Sequence, residues 1–187
     1  MSDSDPYVTR AGAKLEAALA AFDLDANGRV ACDLGSHAGG FVDCLLAHGA
    51  SRVYSVDTSY GTLAWKLRID PRVVVMERTN AMHVTLPEPV DLVTADLGWT
   101  RQEKFARHAL SLLAEGGALV SLLKPQYEAV DDERERGVVR PECLDSIRER
   151  VCRRLAALDC PVHAWIESPI KGGAGNVEYL LFIPLKT

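Results

Sequence analysis

Short, mainly apolar runs alternate with segments of helical periodicity along most of this chain, and that alternation limits the folds available to it. Val73–Met76 and Ala118–Leu123 are apolar at nearly every position, as in strands that are buried on both faces. Between such runs, apolar residues recur every three or four positions, as from Leu144 to Leu158. The pattern predicts an α/β fold with a mostly parallel sheet and helices on both faces.

The predicted elements follow one another with short connections. We expect helices at about 11–22, 40–48, 63–67, 105–113 and 144–158, and strands at 29–34, 53–56, 73–76, 90–95, 118–123, 162–166 and 177–183. Gly116 and Gly117 are predicted to end the fourth helix. The last two strands are joined by a glycine-rich turn, which predicts an antiparallel pair at the end of the sheet.

The 187 residues have room for one domain, so we predict a single domain over residues 1–187. Residues 1–6 are predicted to be a disordered leader. They do not resemble a secretory signal, and the chain has no apolar run of membrane-spanning length, so we expect no membrane association and a cytoplasmic protein. The charged segment Glu128 to Glu142 has little periodicity and is predicted to be a mobile surface loop.

Ligands of open α/β sheets bind outside the carboxyl ends of the strands, so the residues found there are the first candidates for a site. The first predicted strand runs into a glycine-rich loop that contains Asp33, Gly35, Gly39 and Gly40. Glycines allow the backbone to turn tightly and approach a ligand closely. Since His37 breaks the dinucleotide spacing and Asp33 would repel a pyrophosphate, an amino-acid-bearing cofactor fits better; a merely tight turn is the alternative.

Three further strand ends carry polar groups. Asp57 follows the second strand at a position from which a carboxylate can accept both hydroxyls of an adenosine ribose, and Asn80 follows the third, where it could contact adenine or cap a turn. Asp96 and Lys124 end the next two strands, and adjacent strand ends bring them together. A partly desolvated lysine near another cation can act as a general base, whereas a simple ion pair at the rim of the sheet is the competing interpretation.

Other reactive side chains give weaker signals. Trp65 and Trp165 lie in a predicted helix and strand, so both are expected in the core, whereas Trp99 lies in a loop where it could stack on a base or cover the sheet edge. Neither the five histidines nor the five cysteines show ligand spacing, so we predict no metal site and reduced cysteines.

Ordered motifs extend nearly from end to end and resemble the TlyA-type branch of the FtsJ-like ribose 2′-O-methyltransferases. They are Tyr7 to Leu15, Asp33 to Leu45, Tyr60 to Arg68, Glu77 to Ala81, Lys124 to Glu128, Gly137 to Arg140, Ser168 to Gly172 and Gly175 to Glu178. The resemblance implies a Rossmann-like domain that uses S-adenosylmethionine as methyl donor.

The resemblance also implies a catalytic tetrad of Lys14, Asp96, Lys124 and Glu178, with Lys124 taking the proton of a ribose hydroxyl. Pattern alone places Lys14 on an exposed helix face and Glu178 one residue into the last strand. We predict that the cofactor site is formed by residues at and just after the strand ends: Asp33, Gly35, Ser36, His37, Gly39, Gly40, Phe41, Asp57, Thr58, Asn80, Ala81 and Asp96.

The chain departs from the family pattern in two places. Relatives usually carry a small S4-like RNA-binding domain before the Tyr7 motif, whereas six residues precede it here, and Leu97 to Arg101 replaces a Val-Ser-Phe-Ile-Ser-Leu-like stretch. With a net charge of −5, RNA affinity would depend on a local patch, for which we name Arg10, Lys14, Arg101, Arg140 and Lys171.

The predicted function is therefore RNA 2′-O-methylation, with ribosomal RNA in a ribonucleoprotein as substrate and a possible partner protein in place of the missing domain. A methyltransferase that acts on a small molecule or protein is the alternative, favoured by the acidic charge. A non-catalytic cofactor-binding module and a nicotinamide dehydrogenase fit less well, because the tetrad is intact and the glycine spacing is wrong for a dinucleotide.

Overall fold

A computed structural model of the chain describes residues 6–185, so the predicted leader, apart from Pro6, lies outside the described residues. The α-helices are α1 (Ala11–Ala21), α2 (Gly40–Ala47), α3 (Trp65–Arg68), α4 (Ala106–Ser111), α5 (Pro125–Glu128) and α6 (Leu144–Ala156). The strands are β1 (Val30–Leu34), β2 (Arg52–Val56), β3 (Val73–Met76), β4 (Val90–Ala95), β5 (Leu113–Leu123), β6 (Arg134–Glu135), β7 (Val138–Val139), β8 (Ala164–Glu167) and β9 (Tyr179–Pro184).

Seven strands form one sheet in the order β3-β2-β1-β4-β5-β9-β8. Strands β1 to β5 pair in parallel, while β9 pairs antiparallel with both β5 and β8. The prediction of a mostly parallel sheet with an antiparallel end is therefore confirmed. From β1 the strand order runs outward in both directions, to β2 and β3 on one side and to β4 and β5 on the other. At this switch point a crevice opens at the carboxyl ends of β1, β2 and β4.

Helices cover both faces of this sheet. On one face, α1 and α2 bury Leu15 and Leu45 against the strands, and on the other, α4 and α6 bury Ala109 and Leu155. Burial of a leucine side chain of this kind contributes about 2 kcal/mol. Among residues 6–185, no helix is long and apolar enough to span a bilayer.

The predicted stop at Gly116 and Gly117 is wrong, because both glycines lie inside the long strand β5. The pairing of β4 with β5 slips between Val90 and Leu92, opposite these glycines. Gly116 adopts a positive φ of 75°, and a Cβ on Gly117 would lie 3.0 Å from the Asp91 carbonyl oxygen. Because these two glycines have no side chains, β5 can form a bulge at this point. The glycines therefore do not mark the end of a helix.

The prediction that Trp65 and Trp165 are core residues is also wrong, since 71% and 44% of their surfaces are exposed. Helix α3 buries Leu67, which leaves Trp65 on its outer side. Trp165 lies on the edge strand β8, where the Arg148 guanidinium lies 3.7 Å from the centre of its ring. Periodicity alone does not distinguish these outward positions from inward ones.

The segment 128–142 is not the unstructured loop that its charge predicts. It contains the end of α5, two short 3₁₀ helices and a hairpin formed by β6 and β7, whose turn residues Arg136 and Gly137 both have positive φ. Arg150 of α6 forms a two-pronged ion pair with Glu133, at 2.9 and 2.7 Å. All five cysteines are free thiols in this structure.

Candidate active site

A cavity of about 530 Å³ opens at the carboxyl ends of β1, β2 and β4; we call it the acidic cavity after Asp33, Asp57 and Asp96 in its wall. The predicted cofactor residues that line it are Asp33, Gly35, Ser36, His37, Gly40, Phe41, Asp57, Thr58, Asn80, Ala81 and Asp96. Residues that sequence reasoning missed are Thr9, Ala11, Ala38, Val56, Thr79, Met82, Leu97, Gly98 and Thr100, together with Lys124, which was predicted for catalysis only. Apart from Lys124, the missed residues are small or apolar and carry no chemical signature.

Gly39 is the predicted cofactor residue that does not line this cavity. It adopts a φ of 98°, and a Cβ at this position would lie 2.3 Å from the Leu67 side chain, so Gly39 allows α3 to pack closely. Gly35 differs, because a Cβ there would lie 2.7 Å from the carbonyl oxygen of Asp96. The close approach of the two strand ends at Gly35 therefore shapes the cavity floor.

Asp57 is held by donors from two loops. Its Oδ2 accepts a hydrogen bond from the His37 amide at 2.8 Å, and its Oδ1 accepts bonds from the amide and hydroxyl of Ser59 at 2.7 and 2.6 Å. Burial alone would raise the pKa of the Asp57 carboxyl, but these hydrogen bonds outweigh it and lower the pKa. The cavity therefore presents a fixed, ionised carboxylate.

Asp33 is almost completely buried, and only one of its carboxylate oxygens is satisfied. Oδ1 accepts a hydrogen bond from the Thr94 hydroxyl at 2.7 Å, while Oδ2 has no hydrogen-bond partner among residues 6–185. Burial raises the pKa of Asp33 from 3.8 to about 7, the Thr94 bond opposes the rise, and the charge of Asp96 adds to it. An unsatisfied buried carboxylate oxygen is costly unless a donor reaches it, so this position favours a cationic group.

Lys124 and Asp96 meet as expected for adjacent strand ends. Lys124 Nζ lies 2.5 Å from Asp96 Oδ1 and donates a hydrogen bond to the carbonyl oxygen of Leu97 at 3.2 Å. Both side chains are largely buried. The ion pair of the competing interpretation is thus present, and the same lysine lines a second cavity.

Lys14 is buried rather than exposed, which corrects the placement from pattern alone. Its Nζ lies 2.5 Å from Glu178 Oε2, and the side chains are 9% and 3% exposed. Glu178 immediately precedes β9 rather than lying within it. An isolated lysine inside a helix is usually solvated, and its burial here depends on a carboxylate that lies 164 residues further along the chain.

The second cavity, of about 730 Å³, begins at Lys124 and lies on the other side of it; we call it the basic cavity. Four cations line it, Lys14, Arg101, Lys124 and Arg134, against one carboxylate, that of Glu178. Its other lining residues are Trp99, Gln126, Tyr127, Ala129, Gly137, Gly172, Gly173, Ala174 and Asn176. A cavity with an excess of positive charge, in a chain whose net charge is −5, favours an anionic ligand.

An aromatic pair forms part of this wall. The rings of Trp99 and Tyr127 lie 5.2 Å apart, and Trp99 is 89% exposed with a positive φ of 59°. Of the two predictions for Trp99, an exposed aromatic or a cover for the sheet edge, the exposed aromatic is the one found in the structure. Exposed rings of this kind offer flat apolar surfaces on which a nucleobase can stack.

The predicted basic patch is only partly assembled. Lys14 and Arg101 line the basic cavity, whereas Arg10, Arg140 and Lys171 are exposed but lie outside its wall. Arg134, which the patch omitted, lines the cavity instead. A hairpin at this position could have been predicted from the sequence, because the turn-forming pair Arg136-Gly137 precedes the β-branched pair Val138-Val139.

The order and directions of the strands, with an antiparallel strand inserted before the last, define the Rossmann-like fold of S-adenosylmethionine-dependent methyltransferases. Solved structures of such methyltransferases share this fold over most of the chain. Residues 7–183 match the family described as FtsJ-like methyltransferase. The chain belongs to the FtsJ-like methyltransferase family.

Three proteins illustrate its similarity to relatives. YqxC of Bacillus subtilis is 39% identical over 95% of this chain, which spans 65% of the length of YqxC. The 16S/23S rRNA (cytidine-2′-O)-methyltransferase TlyA of Mycobacterium tuberculosis is 39% identical over the whole chain and 72% of its own length. A crystal structure from Lactococcus lactis superposes with a TM-score of 0.90 at 36% identity, covering 96% of this chain and 89% of the other.

Proposed function

We propose that this protein transfers the methyl group of S-adenosylmethionine to the 2′-hydroxyl of a ribose in ribosomal RNA. The observation that carries the proposal is that Lys124 lies where the acidic cavity meets the basic cavity. A proton acceptor at that junction can reach both a bound methyl donor and a hydroxyl that approaches from the other side.

The acidic cavity fits the cofactor. S-adenosylmethionine supplies an activated methyl group on a positively charged sulfur. Asp33, with its unpartnered Oδ2, is suited to the ammonium of the amino-acid moiety, and Asp57 to the hydroxyls of the adenosine ribose. Asn80 and Ala81 line the same cavity, and we assign them to adenine, although Asn80 Oδ1 also caps a turn by accepting a hydrogen bond from the Met82 amide at 2.9 Å.

The four tetrad residues divide the remaining work. Lys124 first releases one of its own protons to solvent, and its neutral Nζ then accepts the proton that the 2′-hydroxyl loses as it is methylated. Asp96 together with the Leu97 carbonyl fixes the direction of Nζ. Lys14 orients the hydroxyl from the basic side, and Glu178 holds Lys14 in place. Catalysis comes mainly from positioning and exclusion of water, because the methyl donor is already activated.

The basic cavity supports RNA as the substrate. Its four cations suit the phosphates next to a target ribose, and Trp99 with Tyr127 suits a stacked base. The M. tuberculosis relative is named for 2′-O-methylation of cytidine in 16S and 23S rRNA. Together these features favour a ribose of ribosomal RNA over a small-molecule or protein substrate.

Transfer of a tritiated methyl group to purified ribosomal subunits, followed by nucleoside analysis, tests this function. We expect label in a 2′-O-methylated nucleoside. Label in a base or in ribosomal protein would overturn the ribose assignment, and a total lack of transfer to RNA and protein would remove the enzymatic proposal.

We further propose that the protein binds naked RNA weakly and requires a ribonucleoprotein or a partner protein to present the target. The chain has a net charge of −5, and the cations of the basic cavity can neutralise only a few phosphates. Binding and methylation of ribosomal subunits are to be compared with those of the same RNA stripped of protein, across a salt series. Tight binding to stripped RNA with a steep salt slope would contradict this proposal.

A further inference from the structure

Arg134 lies on β6, and the hairpin of β6 and β7 brings it into the basic cavity. This hairpin contains none of the four tetrad residues. One terminal nitrogen of Arg134 donates to the Gln126 carbonyl oxygen at 3.2 Å, and the other lies 2.7 Å from Asp131 Oδ1. The side chain of Asp131 is 98% exposed. Arg134 is therefore directed by a firm backbone contact and balanced by a carboxylate that water or an anion can easily displace.

The hairpin itself is anchored by other residues. The buried amide of Asn176 accepts a hydrogen bond from Val139 N at 2.9 Å and donates one to the Gly137 carbonyl oxygen at 3.1 Å. Glu133, the residue before the hairpin, is held by Arg150 of α6. These anchors do not involve the Arg134 guanidinium, whose own partners are the Gln126 carbonyl oxygen and the exposed Asp131, so a ligand can replace Asp131 while the anchors stay in place.

A guanidinium offers donors in a planar fork that matches two oxygens of a phosphate. Every ribose within an RNA chain has phosphates beside it, and the tetrad residues Lys14, Lys124 and Glu178 line the same cavity as Arg134. We infer that Arg134 binds an RNA phosphate beside the target ribose, with that phosphate replacing Asp131 as its partner. This inference rests on the proposed function and adds a substrate-binding residue to it.

The matched test compares Arg134→Gln with Arg136→Gln, which removes the same charge from the turn of the same hairpin, outside the cavity wall. Methylation of ribosomal subunits is measured at saturating S-adenosylmethionine. For Arg134→Gln we expect a KM for the subunit about tenfold higher, with kcat within about twofold, because one charge-assisted contact is lost. Arg136→Gln should leave both constants within about twofold, and Arg134→Lys should fall between wild type and Arg134→Gln.

Salt dependence supplies a second readout. The slope of log KM against log salt should decrease by about 0.7 to 0.9 for Arg134→Gln, as expected for one lost phosphate contact, and should not change for Arg136→Gln. Equal effects of the two glutamine variants, or a loss of kcat at unchanged KM, would overturn the inference. S-adenosylhomocysteine affinity and the melting temperature of each variant show whether the fold is intact.

Asp131 provides a test in the opposite direction. Asp131→Asn removes the internal partner of Arg134, whereas Asp132→Asn removes the same charge from an exposed neighbour that forms no ion pair with another residue of 6–185. We expect Asp131→Asn to lower KM about threefold relative to Asp132→Asn. Identical KM values would contradict the exchange of Asp131 for phosphate.

The failure of the proposed function and the failure of this inference are distinguishable. If the wild-type protein methylates no RNA at all, the proposed function fails. If the wild-type protein methylates RNA but the paired variants do not differ, only the role of Arg134 fails.

Discussion

The acidic cavity and the basic cavity share Lys124 but are built in different ways. The acidic cavity is formed mainly by residues that end or directly follow parallel strands, and its charged side chains are carboxylates except for Lys124. The basic cavity is assembled from α1, the loop after β4, the end of β5, α5, the β6–β7 hairpin and the glycine-rich loop before β9. The fold itself places the first cavity, whereas contacts between distant segments place the second.

This difference suggests a division of labour. Carboxylates at strand ends suit a cationic methyl donor, and a cavity with an excess of cations suits an anionic substrate. Substitutions in the two cavities should therefore separate: those on the acidic side should change cofactor affinity, and those on the basic side should change turnover or RNA affinity. Four predictions test this separation, from the largest expected effect to the smallest.

Replacing the lysines should have the largest effect. Lys124→Ala and Lys14→Ala are each expected to lower methyl transfer by at least about a hundredfold, because the proton acceptor or its neighbour in the tetrad is lost. Cofactor affinity should stay within a few fold, as measured by calorimetry with S-adenosylhomocysteine. Lys104→Ala, which removes an exposed lysine outside both cavity walls, is the control. Near-normal turnover of Lys124→Ala would leave the Asp96–Lys124 pair as a structural ion pair only.

Removing the carboxylate of Asp57 should weaken the acidic side alone. Asp57→Ala is expected to reduce cofactor binding by about 1 to 3 kcal/mol, since hydrogen bonds to the ribose would be lost. Calorimetry gives the affinity, and the KM for ribosomal subunits at saturating cofactor should remain close to that of wild type. Normal cofactor affinity of this variant would show that Asp57 does not contact the cofactor and only stabilises the loops that contain His37 and Ser59. Preferential binding of a dinucleotide by wild type would refute the cofactor assignment itself.

A single added methyl group should disturb the basic side although no tetrad residue is replaced. A Cβ on Gly172 would lie 2.5 Å from Glu178 Oε1, whereas a Cβ on Gly173 would meet nothing within 4 Å. Gly172→Ala should displace the Glu178 carboxylate from Lys14 and lower kcat about tenfold, the expected cost of overpacking at a buried pair. Gly173→Ala should leave kcat unchanged. Equal rates for the two variants would mean that the position of Glu178 does not control turnover.

Protonation of Asp33 should give the smallest effect. Because the pKa of Asp33 is about 7 in the folded protein and 3.8 in its ordinary state, the folded protein holds the extra proton between these values. The free energy of unfolding should therefore fall as pH rises through this window, and Asp33→Asn should remove that part of the slope. A cationic cofactor favours the ionised carboxylate, so its affinity should rise about threefold from pH 6.5 to 7.5. A flat affinity profile would contradict the contact.

The same difference between the cavities explains what could be predicted from the sequence. Asp33, Asp57, Asp96 and Lys124 were found because each is a charged residue at the end of a buried apolar run, and a parallel sheet brings such ends together. Pattern alone placed Lys14 on the surface, since nothing local indicates that Glu178 neutralises it.

The walls of the basic cavity were harder to predict. High local charge made the segment of Arg134 look unstructured, while its order comes from Arg150 and Asn176, which lie far along the chain. Composition describes the segment itself, but its conformation depends on these remote partners. The bulge at Gly116 and Gly117 was missed for the same reason, because the Asp91 carbonyl oxygen that Gly117 accommodates lies on another strand.

A crystal structure of the protein with S-adenosylhomocysteine tests the division between the cavities most directly. We predict that the product lies in the acidic cavity, with its amino group at Asp33, its ribose at Asp57 and its sulfur facing Lys124. The basic cavity should remain open to RNA on the far side of that lysine. Density for the product in the basic cavity, or a bound sulfur that does not face Lys124, would contradict the account.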